Sequence, residues 1–364
     1  MRFARGFSLV ELMVALTIGS LLVVGAITVY SNSRSTYAVN ESIARLQEQA
    51  RYVISVVEPD IELAGFYGFT NTPDAIRLVT GANPGVVLAS AAALRQRPIA
   101  PAGPAPVAAP GLPAAAVACG VNFAVDVLSP VQGSNDDFNL GPGATAACAA
   151  LGGGALAGTD TLTLRRASTQ PVVAEANRIQ LYASRLRSRT SQPLFTDGVA
   201  PGPVDANNDI RNLLVRTYYV ARDSEGLAGM PALRTKALGA GGAFGDNEVM
   251  PGVEDLQVQF GVDTGDYNND GALDPGADVN GDGIPESDGR ATRYVNPDFP
   301  GLDRLQVVAV RIWVRVRAER AESGFVDGRT YEYANVEFTP NAAEQRFRRM
   351  VLSKTIMLRN SRTM

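Results

Sequence analysis

The chain carries near its start the stretch Gly6-Phe7-Ser8-Leu9-Val10-Glu11, and residues 12–30 continue as an uncharged apolar run. This run is long enough to cross a bilayer as a helix, because about 20 apolar residues span the hydrocarbon core. Glu11 is the one charged side chain between residues 7 and 30. A carboxylate at the bilayer centre costs roughly 2.5–3.5 kcal/mol on insertion scales. The pattern therefore predicts a function for Glu11 beyond anchoring.

The leader before this run, Met1-Arg2-Phe3-Ala4-Arg5-Gly6, is short and basic. Together with residues 6–16, G-F-S-L-V-E-L-M-V-A-L, it resembles the class III leader of type IV pilins and pseudopilins. In those proteins a prepilin peptidase cuts after the glycine, here Gly6, and methylates the new amino group, here that of Phe7. The resemblance implies a filament subunit in which the carboxylate of Glu11 pairs with the amino nitrogen of Phe7, of a neighbour or of the same chain.

Two other interpretations of the N-terminus remain open. A secretory signal places its small-residue cleavage site after the apolar run, and here Ser31-Asn32-Ser33-Arg34 follows without an A-x-A site. A plain single-pass anchor explains the length of the run but leaves Glu11 unexplained.

The positive-inside bias predicts that the two leader arginines stay in the cytoplasm. Everything after residue 30 then lies in the periplasm or outside the cell, on an inner-membrane protein with one span.

The composition argues against an enzyme and against a nucleic-acid-binding protein. The formal net charge is −4, and removing the two leader arginines makes it −6, which gives no basic footprint for nucleic acid. The chain has no histidine, so Ser-His-Asp and Cys-His nucleophiles and His-ligated zinc sites are excluded. A Gly-rich run at residues 239–245 reflects local Gly/Ala bias better than a phosphate-binding loop.

The apolar run is predicted to continue as one helix of roughly 50 residues. Beyond residue 31, apolar side chains recur at three- and four-residue steps, at Ile43, Leu46, Ala50, Val53, Ile54, Val57 and Ile61. We expect Pro59 to kink or interrupt the helix and Gly65 to end it. Residues 7–30 would then be the membrane or filament-core half, and residues 31–65 an amphipathic half that packs on a globular head.

Residues 66–158 read as a variable region rich in Ala, Pro and Gly. Residues 89–118 are predicted to be an extended loop with too little bulk for a core, and residues 141–158 are similar. Cys119 and Cys148 are the only cysteines, and an oxidising compartment favours a disulfide between them, worth roughly 3–4 kcal/mol in the chain-entropy model. Two free thiols are the alternative. The bridge would hold together a weakly specified insertion.

Residues 159–364 are predicted to form a β-rich head. Strand-like patterns occupy residues 161–165, 178–183, 213–221, 256–262, 305–318, 331–338 and 350–358. The clearest is Val310-Arg311-Ile312-Trp313-Val314-Arg315-Val316-Arg317, a half-buried strand whose arginines and tryptophan point away from the core. No βαβ alternation appears, so the fold class is α+β, with one long helix packed on antiparallel sheet.

A second resemblance covers the C-terminal half. Residues 215–221, 231–234, 250–263, 307–317 and 355–360, which include Met250-Pro251-Gly252-Val253-Glu254-Asp255-Leu256, are similar to PilW-type minor pilins. The resemblance implies a low-abundance subunit that joins other minor pilins, the major pilin and a large tip adhesin. Such a complex primes pilus assembly at the inner membrane, and the pili serve twitching motility, adhesion and DNA uptake.

Two acidic repeats lie in tandem within residues 263–289. Both follow D-x-N-x-D-G with an acid at the ninth position, which places oxygen ligands around a glycine turn as Ca²⁺ requires. Position twelve is Ala277 in one copy and Gly289 in the other, so the bidentate glutamate of an EF-hand is missing, and the tandem resembles thrombospondin type 3 or dockerin-like loops. A solvated Asp/Asn/Gly turn is the alternative. The candidate ligands are Asp266, Asn268, Asp270, Asp274, Asp278, Asn280, Asp282, Glu286 and Asp288.

Three functions therefore compete. A PilW-type minor pilin is the leading hypothesis, and a J-type minor pseudopilin of type II secretion would carry a nearly identical N-terminus. A calcium-dependent adhesive module displayed on a pilus is the third.

Overall fold

The structure is a computed structural model, and it describes residues 8–70, 73–96, 106–186, 192–265, 289–302 and 305–361. The chain divides into two compact units, residues 1–48 and residues 49–364. The described residues of the first unit form the N-terminal part of a helix. The second contains the last turns of that helix and all the strands that the structure describes.

Helix α1 runs from Leu9 to Glu62. Pro59 was expected to kink or interrupt the helix, and interruption is wrong, because α1 continues through Pro59 to Glu62. Proline removes only one backbone donor, and α1 ends three residues later. The expected terminator is confirmed: Gly65 has φ +77° and donates its N–H to the carbonyl of Arg165 at 3.0 Å.

The expected apolar stripe of α1 is confirmed from Ala50 to Ile61, where all five of its members are buried, whereas Ile43 is exposed. Asp60 lies on the same part of the helix and is also buried. Its carboxylate accepts hydrogen bonds from Arg166 at 2.9 Å, Arg216 at 2.7 Å and the hydroxyl of Tyr218 at 2.7 Å. Asp60 therefore ties the last turn of α1 to the strands that carry these three residues.

The larger sheet has nine strands. Their bounds are β1 Ile76–Thr80, β2 Asn83–Ser90, β3 Val131–Ser134, β4 Thr161–Ala167, β5 Ala176–Ser184, β6 Gln192–Asp197, β7 Asn208–Ala221, β8 Ala232–Leu238 and β9 Phe244–Pro251. The order is β2-β1-β6-β5-β7-β4-β3, and β8 pairs with β7 and with β9. The β1–β6 pair is parallel, and the other pairs in this sheet are antiparallel.

The smaller sheet has the order β11-β10-β12-β15, with β10 Val253–Asp263, β11 Arg293–Val295, β12 Gln306–Arg317 and β15 Arg349–Met357. A separate hairpin, β13 Tyr331–Tyr333 and β14 Val336–Phe338, stands where one continuous strand was expected. Ala334 has φ +50° in its two-residue turn. Short 3₁₀ helices lie at Pro73–Ala75, Ala114–Val117, Ala146–Cys148 and Ala240–Gly242. The α+β class is confirmed.

The expectation for residues 66–158 is wrong in two respects. Strands begin at Ile76 and not near Thr159, and the Ala-rich stretch contributes to the core. Leu94, Phe123 and Val125 are fully buried in one apolar cluster with strand residues of the larger sheet. The alanines of residues 89–118 were expected to be too small to contribute to a core. Ala109 and Ala116 nevertheless belong to this cluster, because their small side chains allow the backbone to pack closely against it.

Candidate assembly site

The first turn of α1 holds Glu11 in a reciprocal cap. The backbone N–H of Ser8 donates to the carboxylate of Glu11 at 2.9 Å, and the backbone N–H of Glu11 donates to the hydroxyl of Ser8 at 3.2 Å. This is a capping box, which satisfies two backbone donors that a helix start otherwise leaves free. Sequence reasoning missed Ser8, although S-x-x-E directly before an apolar run is its signature.

The surface of α1 that follows this cap is apolar and uncovered. Between residues 9 and 30 every large apolar side chain is exposed, for example Leu9, Leu21 and Tyr30. By length and composition α1 qualifies as a membrane-spanning helix, and its most apolar window is buried nowhere within the chain. These side chains need a membrane or neighbouring helices around them, since exposed apolar surface of this extent is unfavourable in water.

The two processing residues and the calcium ligands fall outside the described part of the chain. Gly6 and Phe7 precede it, and all nine candidate ligands lie within residues 266–288. The ends of the acidic segment are described: Thr264 and Thr292 are joined by a hydroxyl hydrogen bond of 2.8 Å. Among the described residues there is no group of acidic or cysteine side chains that could hold a metal ion.

Cys119 and Cys148 form a disulfide with a Cα–Cα distance of 5.0 Å. The alternative of two free thiols is therefore not adopted. Both cysteines are buried within the same apolar cluster as Phe123, so the bridge joins two segments of the core and does not staple a loose insertion.

The outer face of β12 differs from the sequence-based expectation. Arg315 and Arg317 point away from the apolar side of the sheet as predicted, yet both are buried. Residues 318–348 cover them: the ring of Phe338 lies 3.7 Å from the guanidinium carbon of Arg315, and that of Phe347 lies 4.6 Å from that of Arg317. Sequence reasoning could not find this cover, because it comes from a segment outside the strand pairing.

Carboxylates neutralise the covered arginines. Glu254 contacts Arg315 at 3.3 Å, Arg317 at 3.4 Å and Arg349 at 2.7 Å. Asp255 lies 3.5 Å from Arg315 and accepts a hydrogen bond from the hydroxyl of Tyr333 at 2.6 Å. Burial raises the pKa of Asp255 and lowers that of Arg317. The cluster is thus a paired structural network under the β13–β14 hairpin.

Asp160 joins the two sheets at the start of β4. Its backbone N–H donates to the carbonyl of Leu256 on β10 at 2.8 Å, and its carboxylate accepts the N–H groups of Val258 at 2.7 Å and Asp136 at 2.8 Å. Burial raises the pKa of Asp160 to about 7, against the opposing effect of these backbone donors. The carboxylate is therefore partly protonated near neutral pH, at a contact that both sheets share.

Comparison with known proteins gives matches at both ends of the chain. Residues 217–360 match the family model of type IV pilus-assembly protein W, and residues 1–27 match the prokaryotic N-terminal methylation motif. No curated protein matches the chain.

Among solved structures, the chain is similar to a type IV-like pilin from Thermus thermophilus. The identity is 15%, the match covers 56% of this chain and 79% of that one, and the TM-score is 0.24. At that TM-score the similarity adds nothing to the assignment, which rests on the two sequence matches and on the fold described above. The N-terminal methylation motif leads into an exposed apolar helix, and the PilW match runs from the second half of β7 to just past β15, so these findings support a PilW-type minor pilin.

Proposed function

We propose that this pilin primes type IV pilus assembly at the inner membrane and sits in a tip complex with other minor pilins and a large adhesin. In that position it would support twitching motility and adhesion. The observation that carries the proposal is the combination of a methylation-type N-terminus, a lone acid in the first turn of an uncovered apolar helix, and a PilW head.

The chemistry of assembly in this proposal centres on Glu11. Cleavage after Gly6 by prepilin peptidase would leave the amino group of Phe7 next to Ser8, the residue that caps Glu11. A carboxylate removed from water requires a compensating cation. The amino group of Phe7 on a neighbouring major or minor pilin is such a cation, so α1 would enter the filament with its one buried charge neutralised.

The N-terminus of the mature protein tests the first step. Mass spectrometry should find Phe7, methylated on nitrogen, as the first residue, and Gly6→Val should leave the leader attached and the subunit in the membrane. A mature N-terminus at any other residue would contradict the proposal.

Deletion of the subunit tests the pathway. Loss of surface pili and of twitching, restored by the wild-type chain and not by Gly6→Val, is the expected result. A strain that keeps its pili but loses secretion of exported proteins would instead identify a J-type minor pseudopilin of type II secretion. Co-purification of the other minor pilins and the adhesin with the subunit would identify its partners.

We also propose that residues 266–288 bind Ca²⁺. What supports this is the sequence: two D-x-N-x-D-G copies in register and seven acids without a base among 23 residues. An ion that binds only the folded chain stabilises it by mass action. The protein should therefore melt at a higher temperature in millimolar Ca²⁺ than in chelator.

Asp270→Ala combined with Asp282→Ala should abolish that calcium-dependent difference. The same substitution pair at Asp205 and Asp223, which lie in other turns, is the matched control and should preserve the difference. Equal melting temperatures of the wild-type chain with and without Ca²⁺, and no heat of binding, would leave the segment as an acidic turn. A calcium effect on surface binding with no effect on melting would instead favour the adhesive module.

A further inference from the structure

In the part of the chain that the structure describes, the outer face of the smaller sheet is covered over only half its length. Arg317, Arg315, Trp313 and Arg311 follow one another on this face at alternate positions of β12. Residues 318–348 cover the first two, which are buried, whereas Arg311 and Trp313 are half-buried and lie beyond the cover.

Each covered arginine has both an aromatic ring and a carboxylate. Arg315 has Phe338 together with Glu254 and Asp255, and Arg317 has Phe347 together with Glu254. A buried guanidinium is stabilised by such a pair of partners, because the aromatic ring stacks on its planar face and the carboxylate accepts hydrogen bonds from its N–H groups.

Arg311 continues this series but lacks the carboxylate. Its guanidinium carbon lies 3.7 Å from the ring centroid of Tyr294, and its Nε donates to the hydroxyl of Thr355 at 3.0 Å. Among the described residues no acid lies within salt-bridge distance of Arg311. The terminal N–H groups of its guanidinium can therefore donate two parallel hydrogen bonds to a carboxylate.

The surroundings of Arg311 form a defined strip. It consists of five residues on neighbouring strands of one face and of Asn296, which directly follows β11; the five are Tyr294, Gln259, Arg311, Trp313 and Thr355. Tyr294 sits close against the sheet, since a Cβ at Gly261 would come within 3.0 Å of its ring. Gln259 and Asn296 are joined at 3.1 Å. Trp, Tyr and Arg are the residue types that dominate binding energy at protein interfaces.

We propose that this outer strip binds an acidic peptide segment of another pilus subunit, with a carboxylate of that segment on the guanidinium of Arg311. Residues 318–348 cover Arg315 and Arg317. The partner would cover Arg311 and Trp313, the next two residues on the same face of β12. That the partner belongs to the pilus rests on the proposed function, whereas the recognition of an acidic peptide does not.

Trp313 is the only tryptophan in the chain, so its fluorescence reports on the strip directly. Titration of the full chain in detergent with hexaglutamate should change this fluorescence saturably, and hexalysine should not. Arg311→Gln should weaken the apparent affinity at least ten-fold, whereas Arg320→Gln, at an exposed arginine beyond β12, should leave it unchanged. Equal melting temperatures of the variants establish that the fold is intact.

Three results would overturn the proposal: no fluorescence change up to millimolar hexaglutamate, an equal change in Arg311→Gln, or a change that appears only after Asp274 and Asp278 are both replaced by Asn. The last would mean that the chain's own acidic segment occupies the strip. The two proposals can fail separately. A mature N-terminus at a residue other than Phe7 would contradict the proposed function, whereas saturable peptide binding that depends on Arg311 would still support the recognition of an acidic peptide.

Discussion

Glu11 has two separable roles, and replacing it with glutamine or with alanine distinguishes them. In the structure its carboxylate caps α1 through Ser8, and in the proposed filament the same carboxylate neutralises the amino group of Phe7. Glutamine still completes a capping box but carries no charge, whereas alanine removes the charge together with the hydrogen bond from the backbone N–H of Ser8. If the charge drives assembly, Glu11→Gln should lose most of the incorporation that Glu11→Ala loses, and the remaining difference between them should be no more than about five-fold.

The two roles differ enough in size to be measured. The cap consists of hydrogen bonds of 2.9 Å and 3.2 Å, and loss of a helix N-cap costs about 1 kcal/mol, roughly a five-fold change in an equilibrium. Removing one partner of a desolvated ion pair costs about 3–5 kcal/mol, which is more than roughly 100-fold. Ser8→Ala is the matched control, and it should reduce incorporation into pili by no more than about five-fold.

The assay is the fraction of subunit recovered in sheared pili, measured by quantitative immunoblot against total subunit. Extraction of membranes with alkaline carbonate shows that each variant is still inserted. Normal incorporation of Glu11→Gln combined with failure of Glu11→Ala would refute the reasoning, because the cap alone would then account for the role of Glu11. A defect of Ser8→Ala as severe as that of Glu11→Ala would refute it as well.

Two further predictions concern the head. Asp60→Asn should destabilise it by about 3–5 kcal/mol, or roughly 6–10 °C in melting temperature, because Arg166 and Arg216 lose a buried partner. Glu58→Gln, which removes a solvent-exposed pair with Lys354, should cost less than about 1 kcal/mol; equal losses in a thermal melt would contradict this. The folded-state pKa of Asp160, about 7, exceeds the ordinary 3.8, so its contribution to stability is complete below pH 3.8 and is lost as pH rises through 7. Urea unfolding between pH 5 and 8 should show that decline in the wild-type chain and a smaller one in Asp160→Asn; parallel curves would exclude Asp160 as its source.

The sequence predicted the strands whose side chains alternate. β4, β7, β10, β12 and β15 each lie at an expected position, because apolar side chains recur at alternate positions along them and leave a two-residue period in the chain. The N-terminal helix was predictable for the same reason at a different period. Alternation and helical periodicity are local properties, so neither needs knowledge of the partner element.

What the sequence did not predict depends on partners far along the chain. β1 is short and pairs in parallel with β6, more than 100 residues later, so its own five residues carry little signal. The burial of Arg315 depends on Phe338 and Asp255, which come from separate segments. Ser8 is the opposite case, since its partner Glu11 is three residues away and the motif could have been read directly.

The last turns of α1 contact both sheets of the head. Asp60 bonds to Arg166 on β4 and to residues of β7 in the larger sheet, and Glu58 bonds to Lys354 on β15 in the smaller one at 2.6 Å. The backbone N–H of Arg359, just after β15, donates to the carbonyl of Glu62 at 3.1 Å. Both sheets therefore contact the same turns of α1, residues 58–62. In the proposed pilus, a partner bound at Arg311 would therefore lie on the same head that residues 58–62 of α1 contact through both sheets.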